Sequence, residues 1–320
     1  MAGLSERILA GDVRALARLL TFLENGDEVG LQALDLLFAQ TGRAWITGIT
    51  GPPGGGKSTL VNELIRHYRK SDLRVAVIAV DPSSPLTGGA TLGDRIRMTE
   101  WHADPGVFIR SMASRQFGGG LAQNTLAVAH AFDAAGFDHI LIETVGTGQD
   151  EVAIASLALT TLLVQVPGTG DGVQTLKAGA LEIGDILVVT KADRPEANEL
   201  ARDLRRLRTL VFEPILDPDH WEAPVIKSSA MTGEGIAELA AAIEQHRTWL
   251  QSGDRVQIRR QIIASTAIAT RVESGLRRRL LERKGGDENL ERLVDEVVAR
   301  RLTAHRAADS ILAELRKAEP

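Results

Sequence analysis

Eight consecutive residues, Gly51 to Ser58, match the phosphate-loop pattern G-x-x-x-x-G-K-[ST], with a predicted strand before them and a predicted helix after them. Glycines let backbone N–H groups curl around a polyphosphate, and the N-terminus of the following helix adds a favourable dipole. In this pattern Lys57 reaches the β- and γ-phosphates and Ser58 binds Mg²⁺. We therefore expect a nucleotide site that includes Gly51, Pro53, Gly54, Gly55, Gly56, Lys57, Ser58 and Thr59.

A second group of residues has the chemistry to recognise a nucleotide base. The run from Thr190 to Asp193 follows a predicted strand and resembles the N-K-x-D loop of GTPases, with Thr190 in place of the usual Asn. The Asp of that loop accepts from the ring N1–H and the exocyclic amine of guanine, a pair that adenine does not offer. Ser228, Ser229 and Ala230 follow a later strand, as the Ser-Ala loop of GTPases does. We expect GTP rather than ATP, held by Lys191, Asp193, Ser229 and Ala230.

Three acidic residues are candidates for holding Mg²⁺ together with Ser58. Asp81 and Glu143 each follow a predicted strand, and Asp94 lies in the segment between those strands. Ligands bind beyond the carboxyl ends of strands in an open parallel sheet, so Asp81 and Glu143 fall on the same edge as the phosphate loop. A single Asp after a strand is more often a helix cap, but the shared edge favours a metal role. The expected metal ligands are Ser58, Asp81, Asp94 and Glu143.

The elements that must position these residues alternate along the chain. Continuous apolar runs without polar alternation predict strands buried on both faces, at 44–50, 74–80, 107–110, 139–142, 161–166, 186–189 and 224–227. Helical periodicity is predicted at 4–40 with a break at 25–27, and at 59–69, 121–135, 196–209, 236–250, 257–284 and 289–317. This order predicts an α/β fold of the P-loop NTPase type, with a mostly parallel sheet flanked by helices.

The predicted strands also divide the chain into three parts. We expect a helical N-terminal extension at 1–42, a P-loop GTPase domain at 43–252 and a helical C-terminal arm at 253–320. The seven histidines are scattered without metal-ligand spacing, and we expect all of them on the surface or on helix faces. The run from Arg277 to Arg279 reads as a solvated helix face or part of a partner surface.

The composition is that of an ordinary globular chain without thiols. The 320 residues include 44% hydrophobic and 25% charged side chains and no cysteine, which excludes disulfides, cysteine-ligated zinc, iron–sulfur clusters and thiol catalysis. The formal net charge of -5 argues against a strongly basic nucleic-acid binder. No apolar run is long enough to span a bilayer, and the first residues lack a signal-peptide pattern. We therefore expect a cytoplasmic protein without membrane or nucleic-acid partners.

The ordered set of motifs resembles the MeaB/ArgK family, P-loop GTPases of the G3E group. The resemblance is carried by the phosphate loop, 81–84, 87–89 with 92–95, 143–146 with 148–149, and 191–193, and it covers nearly the whole chain. Members of this family act as chaperones of adenosylcobalamin-dependent acyl-CoA mutases. The resemblance implies a chaperone that hydrolyses GTP with Mg²⁺, gates adenosylcobalamin loading and protects or reactivates such a mutase.

The resemblance also implies roles for individual positions. Asp81 and Asp94 match the acidic positions of switch I, and Asp94 is a candidate for ordering the attacking water. Glu143 and Gly146 match switch II, where Glu stands in place of the usual Asp of D-x-x-G. With Lys57, these assignments make Asp94 and Glu143 catalytic candidates.

A third switch and a dimer arm are implied as well. The segment 167–177 corresponds to a switch that contacts the mutase, and Lys177 either enters the nucleotide site on docking or is a solvated lysine. Gln149 does not directly follow the switch II glycine, so a structural or signalling role is expected for it. Without an evident arginine finger, hydrolysis should be slow until a partner completes the site. The resemblance implies a homodimer, with 257–317 as the contact arm.

Other functions remain open on the sequence. A nickel-insertion GTPase shares the phosphate and base loops, but such proteins depend on Cys/His metal sites that are missing here. An ATP-dependent kinase is opposed by Lys191 and Asp193, and a nucleotide-sensing scaffold without turnover is opposed by the intact acidic set. The sequence does not identify the client, which could be a methylmalonyl-CoA, isobutyryl-CoA, ethylmalonyl-CoA or 2-hydroxyisobutyryl-CoA mutase.

Overall fold

The computed structural model describes residues 2–82, 99–114, 120–144, 150–168, 182–211, 219–282 and 286–317. The chain forms two compact units, Met1–Ala267 and Ile268–Pro320. The first unit contains the sheet and the predicted nucleotide loops, and the second is helical over the part that the structure describes.

The described strands form one sheet whose pairings are all parallel. Its order is β3-β2-β4-β1-β5-β6-β7. The strands are β1 (Trp45–Thr50), β2 (Val75–Pro82), β3 (Val107–Ser114), β4 (His139–Thr144), β5 (Thr160–Gln165), β6 (Ile186–Val189) and β7 (Val225–Lys227). Each strand predicted from a continuous apolar run is present. The expected α/β fold with a parallel sheet is therefore confirmed. Strands covered by helices on both faces need no polar alternation, which is why continuous apolar runs predicted them.

Helices cover both faces of this sheet. In chain order the described helices are α1 (Ala2–Leu9), α2 (Val13–Asn25), α3 (Glu28–Leu37), α4 (Lys57–Arg69), α5 (Gly120–Ala134), α6 (Asp150–Ala155), α7 (Ala197–Val211), α8 (Ile236–Gln251), α9 (Arg255–Glu282), α10 (Gly286–Val298) and α11 (Ala304–Lys317). The short helix α6 was not predicted from the sequence. Short 3-10 turns lie at Phe38–Gln40 and Thr99–Trp101.

The two faces of the sheet use alternate residues of the same strands. On one face, Ile49 and Val77 pack with apolar residues of α4, α8 and the beginning of α9. On the other face, Ile78 and Ile142 pack with α2, α3 and α5, and a smaller cluster joins α7 to β6 and β7. The result is a three-layer arrangement with helices on both faces of the sheet.

The N-terminal helices differ from the prediction at one point. The expected break at 25–27 is present, because α2 ends at Asn25 and Gly26 adopts φ +72°. A second break before α2 was missed. There Gly11 has φ +84°, and the carboxylate of Asp12 accepts from the N–H groups of Arg14 and Ala15 to cap α2.

The final helix predicted at 289–317 is wrong as a single element. The structure ends α10 at Val298 and begins α11 at Ala304. Arg300 between them adopts φ +57°, and the N–H of Arg301 donates to the carbonyl of Glu296 at 2.9 Å. This is a left-handed helix end made by a residue other than glycine, for which the sequence carries no signal.

A buried polar and aromatic cluster lies at the amino edge of the sheet, where the strands begin. The indole N–H of Trp45 donates to the hydroxyl of Thr160 at 2.9 Å, and that oxygen lies 2.9 Å from Nδ1 of His246. The ring of His246 stacks on Trp249 and contacts Trp221. Burial lowers the pKa of His246 to about 3, so its imidazole is neutral at ordinary pH.

The expected placement of all histidines on the surface or on helix faces is wrong for His139. This residue begins β4, is buried, and stacks on Tyr68 with ring centroids 3.9 Å apart. Burial lowers the pKa of His139 to about 4. Among the described residues, no three or more histidine and carboxylate side chains are grouped so that they could hold a metal ion.

Within the same described ranges, none of the helices combines the length and apolar composition that a transmembrane segment requires.

Candidate nucleotide-binding site

The phosphate loop connects β1 to α4 and is packed closely against β5. Gly51 has φ +145°, and a Cβ on it would overlap the carbonyl group of Val164 in β5. A Cβ on Gly55 would lie 2.9 Å from the carbonyl oxygen of Pro52, to which the Gly55 N–H already donates at 3.1 Å. The backbone can take this path only with glycine at both positions.

Lys57 is buried and folds back over the loop that precedes it. Its Nζ donates to the carbonyl oxygens of Gly51 at 2.9 Å and Pro52 at 3.0 Å. Only 5% of the residue is exposed. The ammonium group therefore lies within the concave loop, where a polyphosphate would approach the backbone N–H groups.

Ser58 and Glu143 bring two oxygen ligands together beside this loop. The hydroxyl of Ser58, in the first turn of α4, donates to Oε1 of Glu143 at 2.6 Å. Glu143 lies near the end of β4, paired with Ile49 of β1 and Ala79 of β2, and is 4% exposed. A hydroxyl and a carboxylate in contact beside a phosphate loop form the hard-oxygen donor set that suits Mg²⁺.

The base loop is bonded directly to the phosphate loop. The hydroxyl of Thr190 donates to the carbonyl oxygen of Gly55 at 2.6 Å, and it lies 3.1 Å from the carbonyl oxygen of Gln165, which accepts from the N–H of Thr190 at 2.9 Å. Nζ of Lys191, whose φ is +54°, donates to the carbonyl of Gly54 at 3.1 Å. The sequence marked Thr190 as a departure from N-K-x-D but did not indicate these partners. Its hydroxyl holds the two loops in one arrangement.

Asp193 and the Ser228–Ala230 loop form the other side of the base site. The hydroxyl of Ser229 donates to Oδ1 of Asp193 at 2.7 Å, and the N–H of Ala192 donates to the carbonyl of Ser228 at 3.0 Å. The hydrogen bond from Ser229 holds the pKa of Asp193 below its usual value, which keeps the carboxylate ionised. Because Asp193 is exposed, an ionised acceptor is available to a base that offers two N–H donors.

The structure thus brings most of the predicted residues to one edge, and some lie beyond what it describes. Pro53, Gly54 and Thr59 are exposed on the phosphate loop and the first turn of α4, and Ala230 follows Ser229. Asp81 lies near the end of β2, beside β4, but its side chain is outside the description. Asp94, Gly146, Gln149 and Lys177 lie outside the described residues.

Comparisons with known proteins relate the chain to a family of GTPases. The family model described as methylmalonyl-CoA mutase-associated GTPase MeaB matches residues 16–284. A protein of Pyrococcus abyssi that carries only the general name of a GTPase is 43% identical over 320 residues, covering 98% of this chain and 96% of that protein. The fused isobutyryl-CoA mutase of Cupriavidus metallidurans is 40% identical over 206 residues, covering 63% of this chain and 19% of that protein.

A solved structure shares the whole fold. The crystal structure of a LAO/AO transport system kinase superposes with a TM-score of 0.74 at 26% identity, covering 98% of this chain and 97% of that one. With the family model matching most of the chain and the site geometry described above, this chain belongs to the MeaB family of GTPases associated with methylmalonyl-CoA mutase.

Proposed function

We propose that this GTPase is a chaperone of an adenosylcobalamin-dependent acyl-CoA mutase, in which GTP hydrolysis gates cofactor loading and protects or reactivates the mutase. The observation that carries this proposal is the match to a fused isobutyryl-CoA mutase over 63% of this chain. Fusion of a similar segment to a mutase in one polypeptide favours a direct partnership. The family description, which names methylmalonyl-CoA mutase, supports the same class of client.

In this proposal the described residues divide the work of binding GTP. The backbone of residues 51–56 cradles the phosphates, and the ammonium of Lys57 moves from its loop carbonyls to the phosphate oxygens. Asp193 selects guanine through its ionised carboxylate, while Lys191, Ser229 and Ala230 border the base. The contact of Thr190 with Gly55 supports this assignment, because it holds the base loop against the phosphate loop.

Magnesium is the metal that the donor set fits. Ser58 and Glu143 would hold it, with Asp81 and Asp94 as further proposed ligands. A bound Mg²⁺ would neutralise charge on the β- and γ-phosphates. The chain's own part is to present a half-buried hydroxyl from α4 and a buried carboxylate from β4 in contact with each other beside the loop.

We propose that hydrolysis is slow in the isolated protein and is stimulated by the mutase. Asp94 is the proposed water-ordering residue, and Lys177, in the segment proposed to contact the mutase, is the proposed residue that enters on docking. In the nucleotide edge that the structure describes, Lys57 is assigned to the phosphates and Lys191 to the base, and neither is assigned to the charge that develops during hydrolysis. A partner that supplies or repositions a cation would therefore accelerate the reaction.

We also propose that the chain is organised in three parts, 1–42, 43–252 and 253–320. The last of these, the C-terminal arm, is the proposed contact of a homodimer. Apolar side chains of the unit Ile268–Pro320 support it, since Val272, Val294, Val298 and Leu312 are 54%, 50%, 76% and 48% exposed. Exposed apolar residues at helical spacing are typical of an interface between helices. We expect a dimer in sedimentation at micromolar concentration, and a clean monomer there would contradict this arm assignment.

The chaperone proposal is tested with a phosphate-loop variant and a client mutase. Lys57→Ala should lower GTP hydrolysis on the order of 100-fold and remove the nucleotide dependence of adenosylcobalamin transfer into apo-mutase. Lys70→Ala, at the exposed end of α4, is the matched control and should behave like the wild type. Transfer is followed by cobalamin absorbance, with circular dichroism confirming the fold. Transfer that stays nucleotide-dependent in Lys57→Ala would show that this site does not gate loading.

The client is identified by the same assay with several mutases. Methylmalonyl-CoA and isobutyryl-CoA mutases are the first to test, because the family description and the fused relative name them. A pull-down from the source cell, or the identity of the neighbouring genes, would show whether ethylmalonyl-CoA and 2-hydroxyisobutyryl-CoA mutases should be tested as well.

A further inference from the structure

Arg259, in the first turns of α9, is bonded to two segments that lead away from the nucleotide site. Its Nε donates to the carbonyl of Ala158 at 3.2 Å, and its Nη2 donates to the carbonyl of Ala155 at 3.3 Å. The same Nη2 lies 3.4 Å from Oδ2 of Asp185. All of these residues belong to the unit Met1–Ala267.

The first segment follows the position of switch II. Ala155 is the last residue of α6, which begins at Asp150, seven positions after Glu143 in the sequence. The carbonyls at the end of a helix carry partial negative charge, so a guanidinium there is favourable. Ile154 packs against Gly48 of β1 so closely that a Cβ on this glycine would overlap it. Contact with β1 therefore opposes a shift of α6, and such a shift would move the Ala155 carbonyl that accepts from Arg259.

The second segment is the strand that ends in the base loop. Asp185 directly precedes β6, and Thr190 directly follows it. Asp185 is fixed from several directions: its Oδ2 accepts from the N–H of Thr161 at 2.7 Å, and its own N–H donates to the carbonyl of Thr161 at 2.9 Å. The indole of Trp221 donates to its carbonyl at 2.7 Å. Strand β6 therefore links this anchor rigidly to the loop that holds the base.

From these contacts we propose that Arg259 is a positioning residue that couples the nucleotide state to the first turns of α9. Glu143 and Thr190 each contact the phosphate loop or its first helical turn, through Ser58 and Gly55 respectively. Helix α6 follows Glu143 in the chain, and β6 leads from Asp185 to Thr190. The guanidinium of Arg259 contacts both the end of α6 and Asp185. A nucleotide that changes either segment changes the acceptors available to Arg259, and with them the stability of α9 between 255 and 267.

The neighbouring residue provides a matched comparison. Nη2 of Arg260 donates to the carbonyl of Gly42 at 2.9 Å, in the link before β1. Arg260 has the same charge and is the next residue on the same helix, and its guanidinium also donates to a carbonyl in the first unit. That partner lies before β1, which ends at the phosphate loop, so Arg260→Gln tests the connection through β1 and not the connections from the switch II position or to the base loop. Arg259→Gln and Arg260→Gln therefore remove the same charge from the same helix but test different connections.

The experiment is hydrogen exchange of amides 255–267 in the full chain, with saturating GDP or a non-hydrolysable GTP analogue. In the wild type we expect exchange rates in this segment to differ by about tenfold between the two nucleotides, the effect of one charge-assisted hydrogen bond. Arg259→Gln should reduce the difference to within about twofold, and Arg260→Gln should retain it. Because coupling is reciprocal, the ratio of the affinities for the two nucleotides, measured in parallel, should change by a similar factor in Arg259→Gln and stay near the wild-type value in Arg260→Gln.

Three results would overturn the coupling. They are equal exchange with both nucleotides in the wild type, a retained difference in Arg259→Gln, and an equal loss in Arg260→Gln. If Arg259→Gln does not fold, Asp185→Asn is the second variant: its amide oxygen can still accept from the N–H of Thr161, but the negative charge that faces Arg259 is removed, so the difference should be reduced. A retained difference there also contradicts the proposal. Since nucleotide affinity is recorded separately, failure of the coupling is distinguishable from failure of the GTP site.

Discussion

The hydroxyl of Thr190 donates to the carbonyl of Gly55 and its N–H donates to the carbonyl of Gln165, so one residue joins the base loop to the phosphate loop and to β5. From the sequence, Thr190 was only a departure from the usual Asn of this loop. The acceptors are backbone atoms, and Gly55 is 135 positions away in the chain. Residue types and spacing predicted where the loops lie. They could not predict which backbone carbonyl accepts from the Thr190 hydroxyl, because every residue has a carbonyl.

The carboxylate of Asp193 carries a prediction about base choice. Asp193→Asn should weaken GTP binding roughly 100-fold and favour xanthosine triphosphate, because an amide in place of the carboxylate reverses one donor–acceptor pair. Competition binding with both nucleotides measures this preference. Asp35→Asn, an exposed carboxylate on α3, should leave it unchanged. If Asp193→Asn keeps the wild-type preference, the guanine assignment is wrong.

At the scale of elements, the strands were predictable and several helix ends were not. Strands such as β4 are continuous apolar runs, and burial on both faces imposes that pattern on the sequence. The breaks at Gly11 and Arg300 depend on single backbone conformations and local caps. The helix α6 is only six residues long, which is too short for a periodic pattern to identify.

The close packing of α6 on β1 predicts a stability effect. Gly48→Ala should lower the free energy of unfolding by about 1–3 kcal/mol, because the new Cβ overlaps Ile154 and meets Ala158 at 3.1 Å. Urea denaturation measures the change. Gly3→Ala, on the exposed face of α1 with nothing within 4 Å of the new Cβ, is the control and should be neutral or stabilising by about 0.5–1 kcal/mol. Equal stabilities of the two variants would contradict the packing argument.

At the scale of the whole molecule, the parallel sheet separates two chemically different edges. The carboxyl edge holds the phosphate and base loops, and the amino edge holds the cluster of Asp185, His246 and Thr160. Strand direction, and hence the shared edge of the loops, followed from the sequence. The buried cluster did not, because its members come from separate elements and each looks ordinary alone.

Asp185 predicts how stability depends on pH. Burial raises the pKa of Asp185 from 3.8 to about 6, although Arg259 and the N–H of Thr161 oppose the rise. The protonated carboxyl is therefore favoured by folding, and this stabilisation is complete below about pH 4 and lost as pH rises through about 6. Between these values the unfolding free energy of the wild type should fall by about 1–3 kcal/mol relative to Asp185→Asn.

Urea unfolding at several pH values between 4 and 7 provides this comparison. Asp35→Asn serves again as the exposed control, and its difference from the wild type should not change over the same range. A constant difference between the wild type and Asp185→Asn would show that Asp185 does not titrate in this window.

The amino-edge cluster also fixes what ultraviolet emission from this protein reports. The chain has four tryptophans, and Trp45, Trp221 and Trp249 all lie in or against this cluster, with the last two rings 5.7 Å apart. None of these three is on the phosphate or base loop. The fluorescence of these three tryptophans is therefore an unlabelled optical signal from the edge opposite the predicted nucleotide site. A spectral change on adding nucleotide would record an event transmitted across the sheet or through Trp101, which contacts Asn62 of α4.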